Sequence, residues 1–259
     1  MAEVIQLSSL PKVSNFQQSY FDFADKNHFW CQWRFEIFKK LILSIDISTT
    51  KPLRILEIGC GNGIVRDQIE SYTSWITDGT DLEISALQKN PQLRGKTYLY
   101  DISEKQKEFE SLFDGIVLFD VLEHIQNTSD FISQIDFHLK PGGWLFVNVP
   151  AGEYLRGAYD DVQGHLRRYN KILFRQEFKN SNFQVRKLTY WGMSLIPLVL
   201  LRKILLGIKE DKEEIYRLGF QPPAEWFNSC MKFLMKTETM ILSNPLCGTS
   251  LMSIIQKNG

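Results

Sequence analysis

The chain has 259 residues, of which 44% are hydrophobic and 23% charged, and these fractions are typical of a globular protein rather than a disordered or fibrous one. Its 30 basic and 30 acidic residues give a formal net charge of zero, which disfavours nucleic acid as a partner because phosphate binding needs a basic excess. Four cysteines without a C-x-x-C pair disfavour a zinc ribbon and a disulfide framework. We therefore expect free thiols and a cytoplasmic protein.

The N-terminal part of the chain carries aromatic and aliphatic side chains at helical spacing. This pattern extends from Tyr20 to Leu43 and predicts a helix. We expect residues 15–45 to form a helical lid over the rest of the protein. No basic segment followed by an apolar one precedes this helix, so the sequence shows no secretory signal.

Five short apolar runs follow, and they alternate with stretches of helical periodicity. The predicted strands cover residues 52–58, 75–80, 96–100, 113–119 and 144–149. The predicted helices between them cover residues 64–72, 84–89 and 130–139. Lys140-Pro-Gly-Gly has the composition of a turn. This alternation is typical of parallel β-α-β units with right-handed crossovers.

The second half of the chain departs from that alternation. A helix is predicted over residues 172–179, a strand over 183–191 and a last strand over 250–256, whereas residues 193–245 are helix-rich without a strand signal. We interpret residues 193–245 as a helical cap inserted into a single domain that covers residues 1–259. The apolar run Met193 to Leu201 is shorter than the roughly 20 residues that span a membrane.

That apolar run has three interpretations. It is a buried helix of the cap, the wall of an apolar substrate pocket, or a helix that rests on a membrane surface. Neutral net charge and the shortness of the run disfavour the membrane.

The segment Ile55 to Gly63, ILEIGCGNG, connects the first predicted strand to the next helix. Its three glycines let the backbone turn sharply and approach a ligand, at the sheet edge where open α/β folds bind nucleotides. The spacing G-x-G-x-G differs from the G-x-G-x-x-G of loops that bind a pyrophosphate. Glu57, two residues before the first glycine, would repel a pyrophosphate and suits a positively charged ligand.

Two further acidic residues stand at the ends of the next two predicted strands. Asp81 has the place of a carboxylate that accepts hydrogen bonds from ribose hydroxyls. Asp101 could reach an adenine amino group. Because the carboxyl ends of parallel strands meet at one edge of a sheet, Glu57, Asp81 and Asp101 should line up there.

The motifs ILEIGCGNG, Tyr100-Asp101-Ile102, FDGIVLFDVLEHI and LKPGGWLFVNVP, together with Asp81, resemble the class I S-adenosylmethionine-dependent methyltransferases. The resemblance covers residues 20–190 and the last strand. It implies a Rossmann-like, mostly parallel sheet of seven strands with helices on both faces. The last strand would be antiparallel and inserted beside the fifth of the alternating strands.

The resemblance also implies S-adenosyl-L-methionine as the cofactor. The residues that it assigns to cofactor binding are Glu57, Gly59, Gly61, Gly63, Asp81, Leu82, Asp101, Ile102, Phe119 and Asp120. Arg34, in the N-terminal aromatic helix, could reach the carboxylate of the cofactor. HFWCQWR, GHLRRY and PLCGTSLMSII resemble a bacterial subgroup whose members often act in pathways that modify polysaccharides, lipids or secondary metabolites.

Two histidines are candidates for the reacting side of the site. His124 follows the fourth strand and His165 the fifth, so both should face the cofactor. Either one could be the general base that a hydroxyl or protonated amine needs. The alternative is a loop-orienting hydrogen bond for His124 and a ligand of the acceptor for His165. Methyl transfer requires no metal, and no cluster of metal-ligand type is recognisable.

Tyr154, Arg167, Arg168 and Tyr169 are candidates for binding the acceptor, because a guanidinium fork matches a carboxylate or phosphate. The alternative is a pair of salt bridges to the nearby aspartates 160 and 161. We expect methyl transfer to an O or N atom of a small-molecule or carrier-borne biosynthetic intermediate that is acidic or partly apolar. An NAD-dependent dehydrogenase and a non-catalytic binding protein of the same fold are the alternatives. The sequence predicts no oligomeric state.

Overall fold

The computed structural model describes residues 2–9, 26–209, 211, 214–215 and 224–259. Among these residues one sheet has eight strands, which are β1 (Val4–Gln6), β2 (Arg54–Ile58), β3 (Ile76–Asp81), β4 (Thr97–Leu99), β5 (Phe113–Phe119), β6 (Leu139–Pro150), β7 (Phe183–Trp191) and β8 (Ser250–Lys257). Their order in the sheet is β1-β4-β3-β2-β5-β6-β8-β7. β8 runs antiparallel to β6 and β7, whereas the other neighbouring strands are parallel.

Most of the α-helices whose bounds lie within the described residues were predicted. They are α1 (Phe29–Leu43), α2 (Ile64–Tyr72), α3 (Ile84–Leu87), α4 (Thr128–His138), α5 (Ala158–Gln163), α6 (Lys171–Glu177), α7 (Ile196–Gly207) and α8 (Glu225–Ile241). Of these, α5 has no counterpart among the predicted helices. Helix α1 begins later than predicted, because the ring Nδ1 of His28 accepts a hydrogen bond from Trp30 N at 3.1 Å and so caps the helix. The predicted residues 15–25 of the lid lie outside the described residues.

The sheet differs from the prediction in two places. Strand β1 pairs with β4 and makes the count eight rather than seven; its three residues are too few to show a periodic pattern. Strand β6 begins at Leu139, so Lys140-Pro-Gly-Gly lies inside the strand rather than in a separate turn. The register against β5 shifts at this point, which accommodates the two glycines. The predicted antiparallel last strand beside the fifth alternating strand is confirmed.

Two apolar layers cover the two faces of the sheet. Ile116 and Leu118 of β5 belong to one buried cluster, whereas Val117 and Phe119 belong to the other, as side chains alternate along a strand. Helix α4 packs on the first face and helices α1 and α2 on the second. This arrangement leaves the carboxyl ends of β2 to β6 at one edge, where the loops that follow them gather.

The predicted cap, residues 193–245, contains α7 and α8; residues 210, 212–213 and 216–223 lie outside the described part. Helix α8 packs against α1, and its Glu238 accepts hydrogen bonds from the backbone N–H groups of Gly192 at 2.8 Å and Ser194 at 2.7 Å. Helix α7 contacts α5 and exposes most of its apolar side chains, which disfavours the buried-helix interpretation. The role of this cap and of the lid stays a prediction.

Candidate active site

The loop after β2 is built by glycines in the left-handed region. Gly59, Gly61 and Gly63 have φ angles of 73°, 51° and 82°. A Cβ on Gly59 would lie 2.5 Å from Val121 Cγ2, and one on Gly63 would lie 2.3 Å from Asn90 Oδ1. Side chains at these two positions would therefore clash as well as strain the backbone. The loop therefore has no side chains at its glycine positions, and it packs directly against Val121, which follows Asp120 at the end of β5.

Glu57 is the buried carboxylate beside this loop. Only 3% of the residue is exposed, and its Oε2 has no hydrogen-bond partner among the described residues. Burial raises the pKa of Glu57 to about 8, although the charges of Arg66 and Arg34 oppose that rise. A cationic group of a ligand would supply the missing partner. The site therefore fits the ammonium and sulfonium groups of S-adenosylmethionine and does not fit a pyrophosphate.

The next two carboxylates along the edge, those of Asp81 and Asp101, accept hydrogen bonds from backbone N–H groups. Asp81 accepts hydrogen bonds from Gly61 N at 2.8 Å and Glu83 N at 2.9 Å, so it joins the glycine loop to the end of β3. Burial raises the pKa of Asp81 as well. Asp101 accepts a hydrogen bond from Ser103 N at 2.8 Å and donates its own N–H to Ser8 Oγ at 2.8 Å.

The apolar residues assigned to the adenine lie beside these carboxylates. Leu82 is 41% exposed, whereas Ile102 is buried under the turn that follows β4. We call residues 57–63, 81–83 and 101–102 the cofactor edge. All of the predicted residues in these ranges lie at the carboxyl ends of β2, β3 and β4 or directly after them, as the sequence predicts. Their contacts with a cofactor stay a prediction.

Asp120 connects the end of β5 to helix α1. Its carboxylate forms an ion pair with Arg34, whose guanidinium also lies 4.7 Å from the ring centre of Trp30 and 5.2 Å from that of Phe119. The other oxygen of Asp120 accepts a hydrogen bond from Asn148 Nδ2 at 2.7 Å. Arg34 is thus at the site, and its guanidinium pairs with a protein carboxylate.

The same network continues along the sheet to its edge strand, β7. Asn148 Oδ1 accepts a hydrogen bond from Trp191 Nε1 at 2.9 Å, and neither residue is exposed to solvent. Sequence reasoning missed both residues. The only signal for Asn148 is a polar side chain inside the apolar strand β6, where a buried amide needs partners.

A second group of side chains lies after β5 and β6. Glu123 and His124 belong to the short 3-10 turn Leu122–His124, and His165 follows α5. The rings of His124 and His165 meet edge to face with their centres 5.0 Å apart. The Nε2 atom of His165 lies 4.0 Å from Glu123 Oε1. The structure therefore brings the two predicted histidines together, and it adds a glutamate that sequence reasoning did not single out.

Glu123 is fully buried, and neither of its carboxylate oxygens has a hydrogen-bond partner on another described residue. Burial and the nearby Asp120 raise the pKa of Glu123 well above its usual range. Burial and the neighbouring His165 lower the pKa of His124 to about 4, so that its ring is neutral at pH 7. We call residues 120–124 and 151–169 the acceptor edge.

Asp160 organises this edge. It accepts hydrogen bonds from His165 Nδ1 at 2.8 Å and from Arg168 Nε at 2.7 Å. Burial by itself would raise the pKa of Asp160. The hydrogen bond from His165, followed by the charge and hydrogen bond of Arg168, outweighs that effect and lowers the pKa to about 2. The salt bridge between Arg168 and Asp160, which the sequence left as an alternative, is thus present.

The other predicted acceptor residues have different surroundings. Tyr169 is fully buried in the core, and Arg167 pairs with Glu177 at 3.4 Å. Tyr154 is 53% exposed, and its backbone carbonyl accepts a hydrogen bond from Lys203 of α7 at 2.9 Å. The geometry favours structural roles for Arg168 and Tyr169 and leaves Tyr154 open to a ligand.

Solved structures of low sequence identity share this fold. The chain superposes on phosphoethanolamine N-methyltransferase 2 of Haemonchus contortus, solved with S-adenosyl-L-methionine, with a TM-score of 0.54 and 18% identity over 84% of this chain and 51% of that one. A methyltransferase of Mesorhizobium loti gives a TM-score of 0.53 and 13% identity over 83% of this chain and 95% of that one. The fold is therefore that of the class I methyltransferases.

The family follows from sequence. Residues 25–188 match the family model described as a methyltransferase domain, and the chain belongs to this family. The resemblance found in the motifs is thus confirmed, and the dehydrogenase alternative is not favoured. No helix among the described residues has the length and apolar character that crossing a membrane requires.

Curated relatives match a shorter segment. The mitochondrial ubiquinone biosynthesis O-methyltransferase of Candida albicans is 33% identical over 114 residues, which are 40% of this chain and 34% of that protein. The ubiquinone biosynthesis O-methyltransferase of Rickettsia felis is 28% identical over 113 residues, which are 40% of this chain and 43% of that protein. The match spans less than half the length of these relatives.

Proposed function

We propose that this protein is an enzyme that transfers the methyl group of S-adenosyl-L-methionine to a hydroxyl oxygen of a small-molecule biosynthetic intermediate. The observation that carries the proposal is Glu57, a buried carboxylate beside the glycine loop whose Oε2 has no hydrogen-bond partner among the described residues. A dinucleotide would bring phosphate charge to this position, whereas a cationic ligand compensates the carboxylate. S-adenosylmethionine supplies, when bound, a methyl group on a sulfonium sulfur.

The residues of the cofactor edge would divide the cofactor among them. Glu57 and the loop of Gly59 to Gly63 would hold the charged amino-acid end. Asp81 accepts two backbone hydrogen bonds, and its remaining lone pairs would accept hydrogen bonds from the ribose hydroxyls. Asp101 and Ile102 would border the adenine. These residues would bind and orient the cofactor, and holding two reactants in line can remove a large part of the barrier to a displacement reaction.

The acceptor edge would hold the oxygen that receives the methyl group. His124 and His165 are the candidates for its base or its ligand, and they lie next to Val121, which touches Gly59. Helices α7 and α8 would cover this edge and exclude water, with a partly apolar surface for the acceptor. The names of the two curated relatives, both O-methyltransferases, support oxygen rather than nitrogen as the receiving atom.

Binding and product formation test the proposal separately. S-adenosylhomocysteine at about 100 times its dissociation constant should stabilise the fold by about 2.7 kcal/mol, and NAD at the same concentration should not. A panel of hydroxylated small molecules with methyl-labelled S-adenosylmethionine then shows the activity. Stabilisation by NAD alone would contradict the proposal. Binding of S-adenosylhomocysteine without product from any acceptor would support the non-catalytic alternative instead.

A further inference from the structure

We propose that Glu123, His124 and His165 bind a divalent metal ion at the acceptor edge and that its open coordination positions take oxygen atoms of the acceptor. One ligand atom from each residue lies within 4.8 Å of the others. Imidazole nitrogen and carboxylate oxygen are the ligands of Zn²⁺ and of other first-row transition ions in proteins. No sequence motif indicates this group, because its members come from two loops separated by strand β6.

The hydrogen bonds around the two histidines prepare them as ligands. Nδ1 of His165 faces the carboxylate of Asp160 at 2.8 Å, and Nδ1 of His124 faces the carbonyl of Gly164 at 3.2 Å. Each acceptor places the ring proton on Nδ1 and therefore the lone pair on Nε2. A metal-binding histidine is typically oriented in this way by a carboxylate or a backbone carbonyl at its other nitrogen.

The distances between the ligand atoms fit a cation better than direct hydrogen bonds. Nε2 of His165 and Oε1 of Glu123 are 4.0 Å apart, which exceeds the usual 2.7–3.2 Å of an N–H···O hydrogen bond. Two ligands that each lie about 2.1 Å from one ion are separated by roughly 3.0–3.4 Å. A bound ion would therefore draw the three side chains together by about 1 Å, which side-chain rotation can supply.

The charges of this edge leave Glu123 in need of a cation. Each of the two neighbouring aspartates forms an ion pair with an arginine, Asp120 with Arg34 and Asp160 with Arg168. Glu123 is fully buried and has neither a hydrogen-bond partner on another described residue nor an ion pair with a lysine or arginine of the described part of the chain. A buried carboxylate without a counterion is costly, and a metal ion would remove that cost.

Three protein ligands leave positions open for a substrate, as in catalytic rather than structural sites. A hydroxyl that binds a divalent cation loses its proton to solvent water at a lower pH than a free hydroxyl, so the bound oxygen becomes the better nucleophile. This inference rests on the proposed function, and it gives the two histidines the role of ligands instead of bases.

The test uses Co²⁺ alone with chelator-treated full-length protein. We expect one equivalent of Co²⁺ to bind with visible bands of nitrogen and oxygen ligation, and Zn²⁺ to displace it. Glu123→Gln and His165→Asn should each weaken binding at least tenfold. His28→Asn, which removes a histidine outside the cluster and keeps a capping side chain, should bind Co²⁺ like the wild type.

Thermal unfolding with and without metal shows whether each variant is folded and whether the metal stabilises it. The Gln side chain at position 123 has nearly the same shape as Glu and cannot ionise, so the metal-free variant should be at least as stable as the wild type and should lose the stabilisation by Zn²⁺. The proposal is wrong if wild-type protein that binds S-adenosylhomocysteine binds no Co²⁺, or if both variants bind it unchanged. A bound ion with thiolate bands would indicate the cysteines instead. Failure to bind S-adenosylhomocysteine would overturn the proposed function and leave the metal result to be judged by itself.

Discussion

The cofactor edge and the acceptor edge lie at the same end of the sheet but are built differently. At the cofactor edge, Asp81 and Asp101 bind backbone N–H groups within a few residues or on the adjoining loop. At the acceptor edge, Asp160 holds two side chains, those of His165 and Arg168, and Glu123 comes from another loop. Short motifs thus define the first edge, whereas the second depends on contacts between side chains from separate loops.

If the acceptor edge carries the chemistry, its loss should have the largest effect. His165→Gln should reduce turnover by about 10²–10⁴-fold, whether the ring is a base or holds a metal ion, and it should leave the affinity for S-adenosylhomocysteine unchanged. Steady-state rates with labelled S-adenosylmethionine, together with calorimetric binding, measure both quantities. His28→Asn is the matched control. Full turnover in the His165 variant would show that this ring is neither a base nor a needed metal ligand, and that the acceptor edge acts by positioning the acceptor alone.

The cofactor edge should respond to pH through Glu57. The pKa of Glu57 is about 8 in the folded protein without ligand, and a cationic ligand binds the ionised form. Affinity for S-adenosylmethionine should therefore rise by about tenfold per pH unit from pH 6 to 8 and level off above. Glu57→Gln should remove this dependence and weaken binding by about 3 kcal/mol, roughly 150-fold.

Stability without ligand should change with pH in the opposite direction. Because the folded pKa of Glu57 is raised above the unfolded value, its contribution to stability is complete below about pH 4.5 and is lost as the pH rises through about 8. Denaturant unfolding of wild type and Glu57→Gln at several pH values isolates this contribution. A pH-independent affinity in the wild type would contradict the role of Glu57.

A smaller effect is expected from Asp81→Ala. The substitution removes hydrogen bonds to a charged acceptor, and we expect about 2 kcal/mol weaker binding of S-adenosylhomocysteine, roughly thirtyfold. Because Asp81 also holds Gly61 and Glu83, circular dichroism should accompany the titration. Unchanged affinity in a folded variant would exclude Asp81 from the site.

The smallest effect concerns the cap. Leu198 of α7 is 36% exposed, so Leu198→Glu should lower the free energy of unfolding by only about 1 kcal/mol. If α7 forms a wall of the acceptor pocket, the same variant should raise KM for an apolar acceptor several-fold. Ile204→Glu, on a more exposed position of the same helix, is the control. Salt-insensitive sedimentation with liposomes that Leu198→Glu abolishes, with unchanged KM, would favour the membrane interpretation.

Local sequence determined most of the fold. Helix α2 and strands β5 and β7 have the predicted bounds, because apolar periodicity and the flanking glycines and polar residues mark where such elements begin and end. The glycine loop with Glu57, Asp81 and Asp101 was also predictable, since carboxyl ends of parallel strands must meet at one edge. Strand β1 was not, because three residues carry no period and only pairing with β4 makes them a strand.

Only the tertiary structure decided which polar side chains share a buried space. Asn148 and Trp191 lie on different strands, and nothing in either strand's pattern predicts that they extend the pair of Asp120 and Arg34. In the same way, Glu123 is one acidic residue among many in the sequence, and folding leaves it buried beside His165 with no hydrogen-bond partner on another described residue. Periodicity reports whether a side chain faces water or the core, whereas a polar partner in the core is set by where distant loops meet.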